Sequence, residues 1–413
     1  MEERIELIKS IEPSWLQRKC RRLVHNTLDK LTGCQIELHE PGGTLIFGEQ
    51  SDDPERALVA RIQVNDISAY QDFVRHGDIG AADAFISRKW DSDNLTDVIR
   101  VFARSKQNIE NLQNRSGTFS RFVHRLRYAL QHNSISGSKK NILSHYDLGN
   151  NLFTQFLDES MMYSSAVFEH EQQTLEAAQK LKLTRICEQL DLGPEDHLLE
   201  IGSGWGGMAI FAAKNYGCQV TTTTISDAQH EFALQRIKEA GLESQITLLK
   251  KDYRELTGRY DKIVSIEMIE AVGYQYLDTF FQQCESRLKP GGKMLLQAIT
   301  MADQHMDFYR KHVDFIQHYI FPGGFLPSVS LLTSKLTRNT SMITEGLVDI
   351  GQDYALTLQH WRHRFISAWP ALSTQGYDDQ FKRLWLYYLC YCEGAFMEQN
   401  ISTVHFLARK PRH

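Results

Sequence analysis

The most regular alternation of hydrophobic and polar positions lies in the second half of the chain. Short apolar or β-branched runs alternate there with stretches of helical spacing. The strand-like runs are HLLEIG (197–202), CQVTTTTIS (218–226), ITLLKKD (246–252), YDKIVSIEM (260–268) and KMLLQAIT (293–300). Helical spacing is found at 206–216, 227–241 and 274–288. Strands that alternate with helices predict βαβ units and a parallel sheet covered by helices on both faces.

The two ends of the chain carry different patterns. Near the N-terminus, CQIELHEPGGTLIFG (34–48) predicts a hairpin, because its glycines accept the positive φ angles of a tight turn. A helical pattern follows at 95–112, and near the C-terminus two aromatic-rich helical patterns (356–369 and 380–397) precede a last strand at 402–410. These patterns predict a smaller N-terminal α+β domain, residues 1–114, and an α/β domain, residues 141–413.

The segment 115–140 between these domains is basic and amphipathic. It has six lysine and arginine residues and no acid, and its apolar side chains fall on one helical face: Phe119, Phe122, Val123, Leu126 and Leu130. One interpretation is a connecting helix docked on a domain. The other is an element that lies on a lipid surface, where each cation contributes roughly 1 kcal/mol near anionic lipid.

Composition narrows the function classes. The 413 residues are 42% hydrophobic and 23% charged, as in a folded protein with a sizeable core. A net charge of −5 argues against a surface built for duplex nucleic acid, and no apolar run is long enough to span a membrane. The seven cysteines show no CxxC pair and no metal-ligand spacing. Without a signal-peptide pattern, they predict reduced thiols in a cytoplasmic protein with no metal and no nucleic-acid partner.

Two motifs follow strands of the predicted sheet. In LLEIGSGWGG (198–207) the glycines stand between a strand and a helix, where backbone amides approach a ligand closely. This spacing also satisfies the dinucleotide fingerprint, and a purely structural turn is a further alternative. In KIVSIEMIEAVG (262–273), Glu267 and Glu270 follow a buried strand, where they are either a solvated helix start or part of a site.

Several segments together resemble one family. Glu200-x-Gly202-x-Gly204-x-Gly206 resembles the first motif of class I S-adenosylmethionine methyltransferases, and LKPGG (288–292) resembles the segment before their fifth strand. More specifically, residues 139–413 are similar to the cyclopropane fatty acid synthase family. The matching segments are HYDLGNNLF (145–153), MMYSSA (161–166), IGSGWGG (201–207), TISDAQ (224–229), KDYREL (251–256), YIFPGGFLPS (319–328) and GAF (394–396). GDIGAADAFISRKW (77–90) resembles the additional domain of the bacterial acyl-phospholipid enzymes.

The resemblance implies a Rossmann-like class I methyltransferase sheet with S-adenosylmethionine as cofactor. The residues it places around this cofactor are Tyr163, Ser164, Glu200, Gly202, Ser203, Gly204, Gly206, Thr224, Ile225, Ser226, Gln229, Asp252 and Tyr253. For individual residues such as Gln229 and Tyr253, simple packing is the alternative interpretation.

The resemblance also implies methyl transfer to the double bond of an unsaturated phospholipid acyl chain at a membrane surface. The resulting carbocation loses a proton, and the product is a cyclopropane or a methyl- or methylene-branched chain. A soluble small-molecule N- or C-methyltransferase and a catalytically silent lipid-binding protein are the alternatives from other classes. The oligomeric state stays open, with a homodimer among the alternatives.

In this family a bound bicarbonate takes the proton. Of its ligands, Glu270, Tyr354 and the backbone of Ile299 match by position, whereas Ser165 stands at a cysteine position and Gln297 at a histidine position. These two departures put the identity of the base in question. Cys392 matches a family cysteine, and packing is its main interpretation. Glu267 is interpreted as part of the cofactor-side turn or as solvated, and Glu270 is expected to lie beside Tyr354.

Overall fold

The computed structural model describes residues 13–53, 56–105 and 149–412. Their contacts divide them into two compact units. One contains residues 13–105 together with Asp378–Tyr387, and the other contains 149–377 and the chain from Tyr388 onward. The basic segment 115–140 and the predicted boundary at 114 lie outside the described residues.

The N-terminal unit is an α+β domain, built on a four-stranded sheet of order β3-β2-β5-β6 and a short pair β1-β4. Strands β2 and β5 alternate buried and exposed side chains, so each contributes one face to the core. The predicted hairpin is present as antiparallel β2 and β3. The elements are α1 (Trp15–Leu28), β1 (Thr32–Gly33), β2 (Gln35–Glu40), β3 (Gly43–Phe47), β4 (Glu49–Gln50), β5 (Val59–Val64), α2 (Ala69–Ile86), β6 (Trp90–Asp91) and α3 (Leu95–Arg104).

The second unit is built on a seven-stranded sheet of order β12-β13-β11-β10-β7-β8-β9. All strands from β7 to β11 pair in parallel, whereas β13 is antiparallel to both β11 and β12. The strands are β7 (His197–Ile201), β8 (Gln219–Thr224), β9 (Ile246–Lys250), β10 (Tyr260–Ile266), β11 (Leu288–Met301), β12 (Ile343–Asp349) and β13 (Ile401–Arg409). The five strand-like runs and the last strand of the sequence are confirmed; the polar edge strand β12 was not predicted.

Helices cover this sheet on both faces. They are α4 (Asn150–Phe153), α5 (Leu175–Gln189), α6 (Gly207–Tyr216), α7 (Asp227–Glu239), α8 (Leu277–Arg287), α9 (Met306–Tyr309), α10 (Val329–Asn339), α11 (Gly351–Thr374) and α12 (Asp379–Met397). Two buried apolar clusters fill the layers, one with α8 and α10 and the other with α5 and α6. The sheet is therefore a three-layer support whose strand ends carry the loops with the predicted motifs.

Candidate active site

The glycine loop connects β7 to α6 in a backbone conformation that glycine alone adopts easily. Gly202, Gly204 and Gly206 have φ angles of 98°, 48° and 89°. The loop is also packed closely, because a Cβ atom on Gly207 would lie 2.4 Å from the carbonyl oxygen of Ser160. The loop therefore holds its backbone open toward a ligand at the N-terminus of α6, as a cofactor site requires.

Glu200 is a buried acid at the end of β7, next to this loop. Thr222, its register partner on β8, donates a hydrogen bond of 2.6 Å to the carboxyl group. Burial raises the pKa of Glu200 to about 8. A positive charge bound beside it would favour the ionised form, so the residue suits the cationic methionine part of S-adenosylmethionine.

The loops after β8 and β9 form the other predicted part of the cofactor site. Thr224 donates to Gln229 over 2.9 Å, and Ser226 caps α7 through the Gln229 amide. The Asp252 carboxylate is held by Arg254, while the buried hydroxyl of Tyr253 has no hydrogen-bond partner. This orphaned hydroxyl fits a polar ligand such as a nucleoside, because a buried polar group without a partner is costly.

The segment Met161–Ala166 brings two further predicted cofactor residues into the same unit. The Tyr163 ring packs against Phe153 and Trp361 with centroids 5.1 and 5.2 Å away. Its hydroxyl lies 2.7 Å from that of Tyr388. Ser164 is buried, and its hydroxyl accepts a 2.7 Å hydrogen bond from the ammonium group of Lys182.

Lys182 lies on α5 and is completely buried. Burial lowers the pKa of this lysine to about 8, while the nearby carboxylates of Glu267 and Asp158 oppose that shift. A fully buried lysine beside a predicted site is unusual, and the sequence gave no signal for it, because a lysine in a helical run ordinarily faces solvent.

Glu267 is the centre of the polar site, and it is not solvated. Its Oε1 accepts hydrogen bonds from the Ser165 amide at 2.9 Å and from Gln297 Nε2 at 2.8 Å. Its Oε2 accepts a 2.7 Å hydrogen bond from the hydroxyl of Tyr354. The backbone of Glu267 has a positive φ of 48°, and this turn directs its carboxylate to those donors.

A buried histidine fixes the orientation of Gln297. Gln297 on β11 and His405 on β13 are register partners, and the His405 Nε2 lies 3.0 Å from the Gln297 Oε1. On the other side, His405 Nδ1 lies 3.2 Å from Gln189 Nε2. Burial lowers the pKa of His405 to about 3, so it is neutral and donates from Nε2 to Gln297. The Gln297 amide group must then point its NH₂ toward Glu267.

Glu270 occupies a separate position from Tyr354. Its Oε1 accepts a 2.6 Å hydrogen bond from the Ile299 amide, and its buried Oε2 has no partner. Burial and the negative charge of Glu267 raise the pKa of Glu270 to about 8. The structure thus brings Glu270 and Ile299 together as expected, but it places Ser165, Gln297 and Tyr354 around Glu267 instead.

Cys392 lies on α12 close to Tyr354. Burial raises the pKa of its thiol, with a further contribution from Asp314, so it stays protonated at neutral pH. The thiol therefore has the properties of a packing group rather than of a nucleophile. Within the described residues, no cluster of histidine, cysteine and carboxylate side chains could hold a metal ion.

This sheet order, with an acid and a glycine loop after its first strand and an antiparallel last strand, defines a class I S-adenosylmethionine-dependent methyltransferase. Residues 133–406 match the family model described as mycolic acid cyclopropane synthetase, and the chain belongs to that family. A solved mycolic acid cyclopropane synthase, in complex with SAH and CTAB, is 28% identical, with a TM-score of 0.62, and covers 66% of this chain and 98% of that one.

Two curated relatives extend the similarity beyond the family model. The cyclopropane-fatty-acyl-phospholipid synthase of Escherichia coli K12 is 36% identical over 346 residues, or 83% of this chain and 86% of the relative. The tuberculostearic acid methyltransferase of Mycobacterium tuberculosis is 38% identical over 330 residues, or 78% of this chain and 76% of the relative. The predicted family, fold class and cofactor are confirmed, and the chain is an S-adenosylmethionine-dependent methyltransferase of the cyclopropane synthase type.

Proposed function

We propose that this enzyme methylates the double bond of an unsaturated phospholipid acyl chain and forms a cyclopropane. When bound, S-adenosylmethionine supplies an electrophilic methyl group. The observation that carries the proposal is the pair of carboxyl groups, Glu267 and Glu270, at the carboxyl end of β10. An alkene that takes up a methyl group becomes a cation, and two carboxylates beside it provide the negative charge and the proton acceptor that such a cation requires.

The residues of the chain divide this task. We assign the methionine part of the cofactor to Glu200 and to the loop Gly202, Ser203, Gly204 and Gly206. The ribose and adenine are assigned to the turn Thr224–Gln229, which includes Ile225, and to Asp252 and Tyr253. Tyr163 and Ser164 cover the cofactor on the acceptor side.

Aromatic side chains support an acceptor that is apolar and becomes cationic. The Tyr354 ring stacks on Phe396 at 4.4 Å and meets Trp361 edge-on at 6.1 Å. Tyr163 is packed against the same Trp361. Such rings exclude water, which would capture the cation as an alcohol, and their faces attract positive charge.

A methyl- or methylene-branched product is the second candidate. It is favoured by Ser165 and Gln297, which depart from the family pattern, and by the carboxylate of Glu267 between them. The similarity to a tuberculostearic acid methyltransferase points in the same direction. Both products begin with the same methyl transfer and differ only in the carbon that loses the proton.

Incubation with S-adenosylmethionine carrying a fully deuterated methyl group and unsaturated phospholipid vesicles tests this function. We expect a lipid heavier by one methylene unit, with two deuterium atoms if the proton leaves the new methyl group and three if it leaves a neighbouring carbon. Mild hydrogenation separates a branched alkene, which takes up hydrogen, from a ring. Unlabelled lipid from protein that binds S-adenosylmethionine would contradict the proposal, and labelled free amines would support the small-molecule alternative.

The N-terminal unit offers a surface for the membrane that holds this substrate. Helix α1 has no acidic residue, and its exposed side chains include Trp15, Leu16 and Leu23 together with Arg18 and Arg22. Basic and large apolar side chains on one helix surface are typical of binding to an anionic lipid surface. We propose peripheral attachment through this surface; among the described residues, no helix has the length and apolar character needed to cross a bilayer.

Charge reversal tests the attachment. Arg18→Glu combined with Arg22→Glu is expected to weaken co-sedimentation with anionic vesicles at least about tenfold, because each basic residue contributes about 1 kcal/mol. The same reversal at the exposed Arg259 and Arg338 of the catalytic unit changes the net charge equally and should leave binding nearly unchanged. Equal loss from both pairs would show that net charge, and not α1, governs binding; full binding by the α1 variant would assign it to segment 115–140.

A further inference from the structure

The donors that the family resemblance assigns to a bound bicarbonate are occupied in this protein. The Tyr354 hydroxyl and the Gln297 amide donate to Glu267, and the Ile299 amide donates to Glu270. The Ser165 hydroxyl points elsewhere and donates to the Ala166 carbonyl oxygen at 2.9 Å. All these donors are satisfied by groups of the chain itself.

Bicarbonate therefore does not fit the site as the side chains are arranged. The second N–H of the Gln297 amide is also engaged, since it donates to the Ser165 carbonyl oxygen at 3.2 Å. An added anion would have to take these donors from Glu267 and would stand beside its negative charge. Two like charges in a partly buried site repel strongly.

We infer that the carboxylate of Glu267 replaces the bound anion and is the proton acceptor of the reaction. This inference rests on the proposed function, since it names the base of that reaction. In the step, a C–H bond of the cationic acyl chain breaks and its electron pair closes the ring or forms a double bond. The proton passes to Glu267 and leaves to solvent after product release.

The hydrogen bonds of Glu267 leave room for this proton. Oε1 already accepts two hydrogen bonds, from Ser165 and Gln297, whereas Oε2 accepts only the one from Tyr354. Each carboxylate oxygen has two lone pairs, so Oε2 retains one acceptor position. Gln297 and His405 act as positioning residues, because they hold Oε1 in place and leave Oε2 to react.

The backbone supports a specific role for this side chain. A non-glycine residue in the left-handed region costs about 1–2 kcal/mol, and Glu267 at φ 48° bears this cost at the edge of the sheet. Its amide nevertheless donates a 2.8 Å hydrogen bond to the Gln297 carbonyl oxygen, so the turn is well ordered. Such strain is commonly retained where a side chain has a function.

The variant Glu267→Gly tests the inference, because glycine accepts this φ and leaves a space of carboxylate size. Wild-type methylation is expected to be the same in carbonate-free buffer and with millimolar bicarbonate. The variant should lose roughly 10²-fold or more of this activity in carbonate-free buffer, as for loss of a general base. Bicarbonate or acetate should restore a measurable part of it.

Thermal unfolding gives a readout that does not depend on turnover. Bicarbonate should raise the unfolding temperature of Glu267→Gly and leave that of the wild type unchanged, because a ligand stabilises only a fold that binds it. Gln399→Gly is the matched control, since Gln399 also has a positive φ, of 55°, but is exposed and outside the site. This control should show neither bicarbonate dependence nor loss of activity.

Two results would overturn the inference: a wild type whose activity or unfolding temperature depends on bicarbonate, or a Glu267→Gly variant that is fully active in carbonate-free buffer. Failure of the proposed function is distinguishable, since then the wild type would not label lipid at all, while the bicarbonate effect on unfolding would still report on the site.

Discussion

Replacement of Glu270 by glutamine is expected to lower kcat/KM by roughly 10²–10³-fold at pH 9, the usual effect of removing one group that stabilises developing charge. Glutamine preserves the shape of the side chain and can still accept the hydrogen bond from the Ile299 amide. It removes the negative charge from an oxygen that is buried and has no partner. The binding of S-adenosylmethionine should stay within about twofold, because Glu270 is not assigned to the cofactor.

The pH dependence of this effect is its specific signature. Burial and the neighbouring Glu267 raise the pKa of Glu270 to about 8, so the wild-type residue is ionised above that pH and protonated below it. The ratio of wild-type to variant kcat/KM should therefore fall about tenfold per pH unit below 8 and be constant above it.

Labelled-methyl incorporation across this range, with calorimetric titration of the cofactor, measures both quantities. Glu243→Gln, at an exposed position, is the control and should behave as wild type. A variant that retains most of its activity at pH 9 would remove Glu270 from the mechanism. A ratio that is the same at every pH would show that its ionisation is not required.

Replacement of Lys182 by methionine is the second large effect that we expect, and it concerns stability. The pKa of Lys182 is lowered to about 8 in the folded protein, from an ordinary value of 10.5. Below pH 8 both the folded and the unfolded states carry the proton, so the cost of burying the charge is fully present. Between pH 8 and 10.5 the folded state loses the proton first, and stability rises with pH.

The free energy of unfolding of the wild type should therefore rise by about 3 kcal/mol relative to Lys182→Met over this range, since one pKa unit corresponds to about 1.4 kcal/mol. Denaturant unfolding at a series of pH values measures this difference. Lys180→Met, two positions away on the same helix but exposed, should run parallel to the wild type. Parallel curves for Lys182→Met as well would contradict a buried ammonium group at this position.

The sheet was predictable because its signals are local. Each of the five runs from His197 to Thr300 combines β-branched or apolar residues with flanking turn residues, and each forms a strand in the structure. The edge strand β12 was missed, since its side chains are mostly exposed and its sequence ITEGLVD lacks an apolar run. Such a strand is specified by pairing with β13, which is a contact distant in sequence.

The site shows the same division. The glycine loop has a short sequence signature, whereas the roles of Glu267 and Glu270 depend on a single backbone angle. With an ordinary φ, Glu267 would follow the predicted solvated turn; the positive φ instead directs it to Tyr354 and Gln297. His405 and Lys182 were missed because their partners lie on other elements, and alternation along a strand or helix does not reveal a buried polar contact.

The positive φ of Glu267 also has an evolutionary consequence. Glycine is the residue that this backbone position favours, and the glutamate and glycine codons differ by a single second-position base. If the carboxylate of Glu267 substitutes for an external anion, one point mutation exchanges an enzyme that carries its own base for one that depends on dissolved carbon dioxide. The backbone would relax rather than break in that exchange, so the two catalytic regimes are neighbours in sequence space.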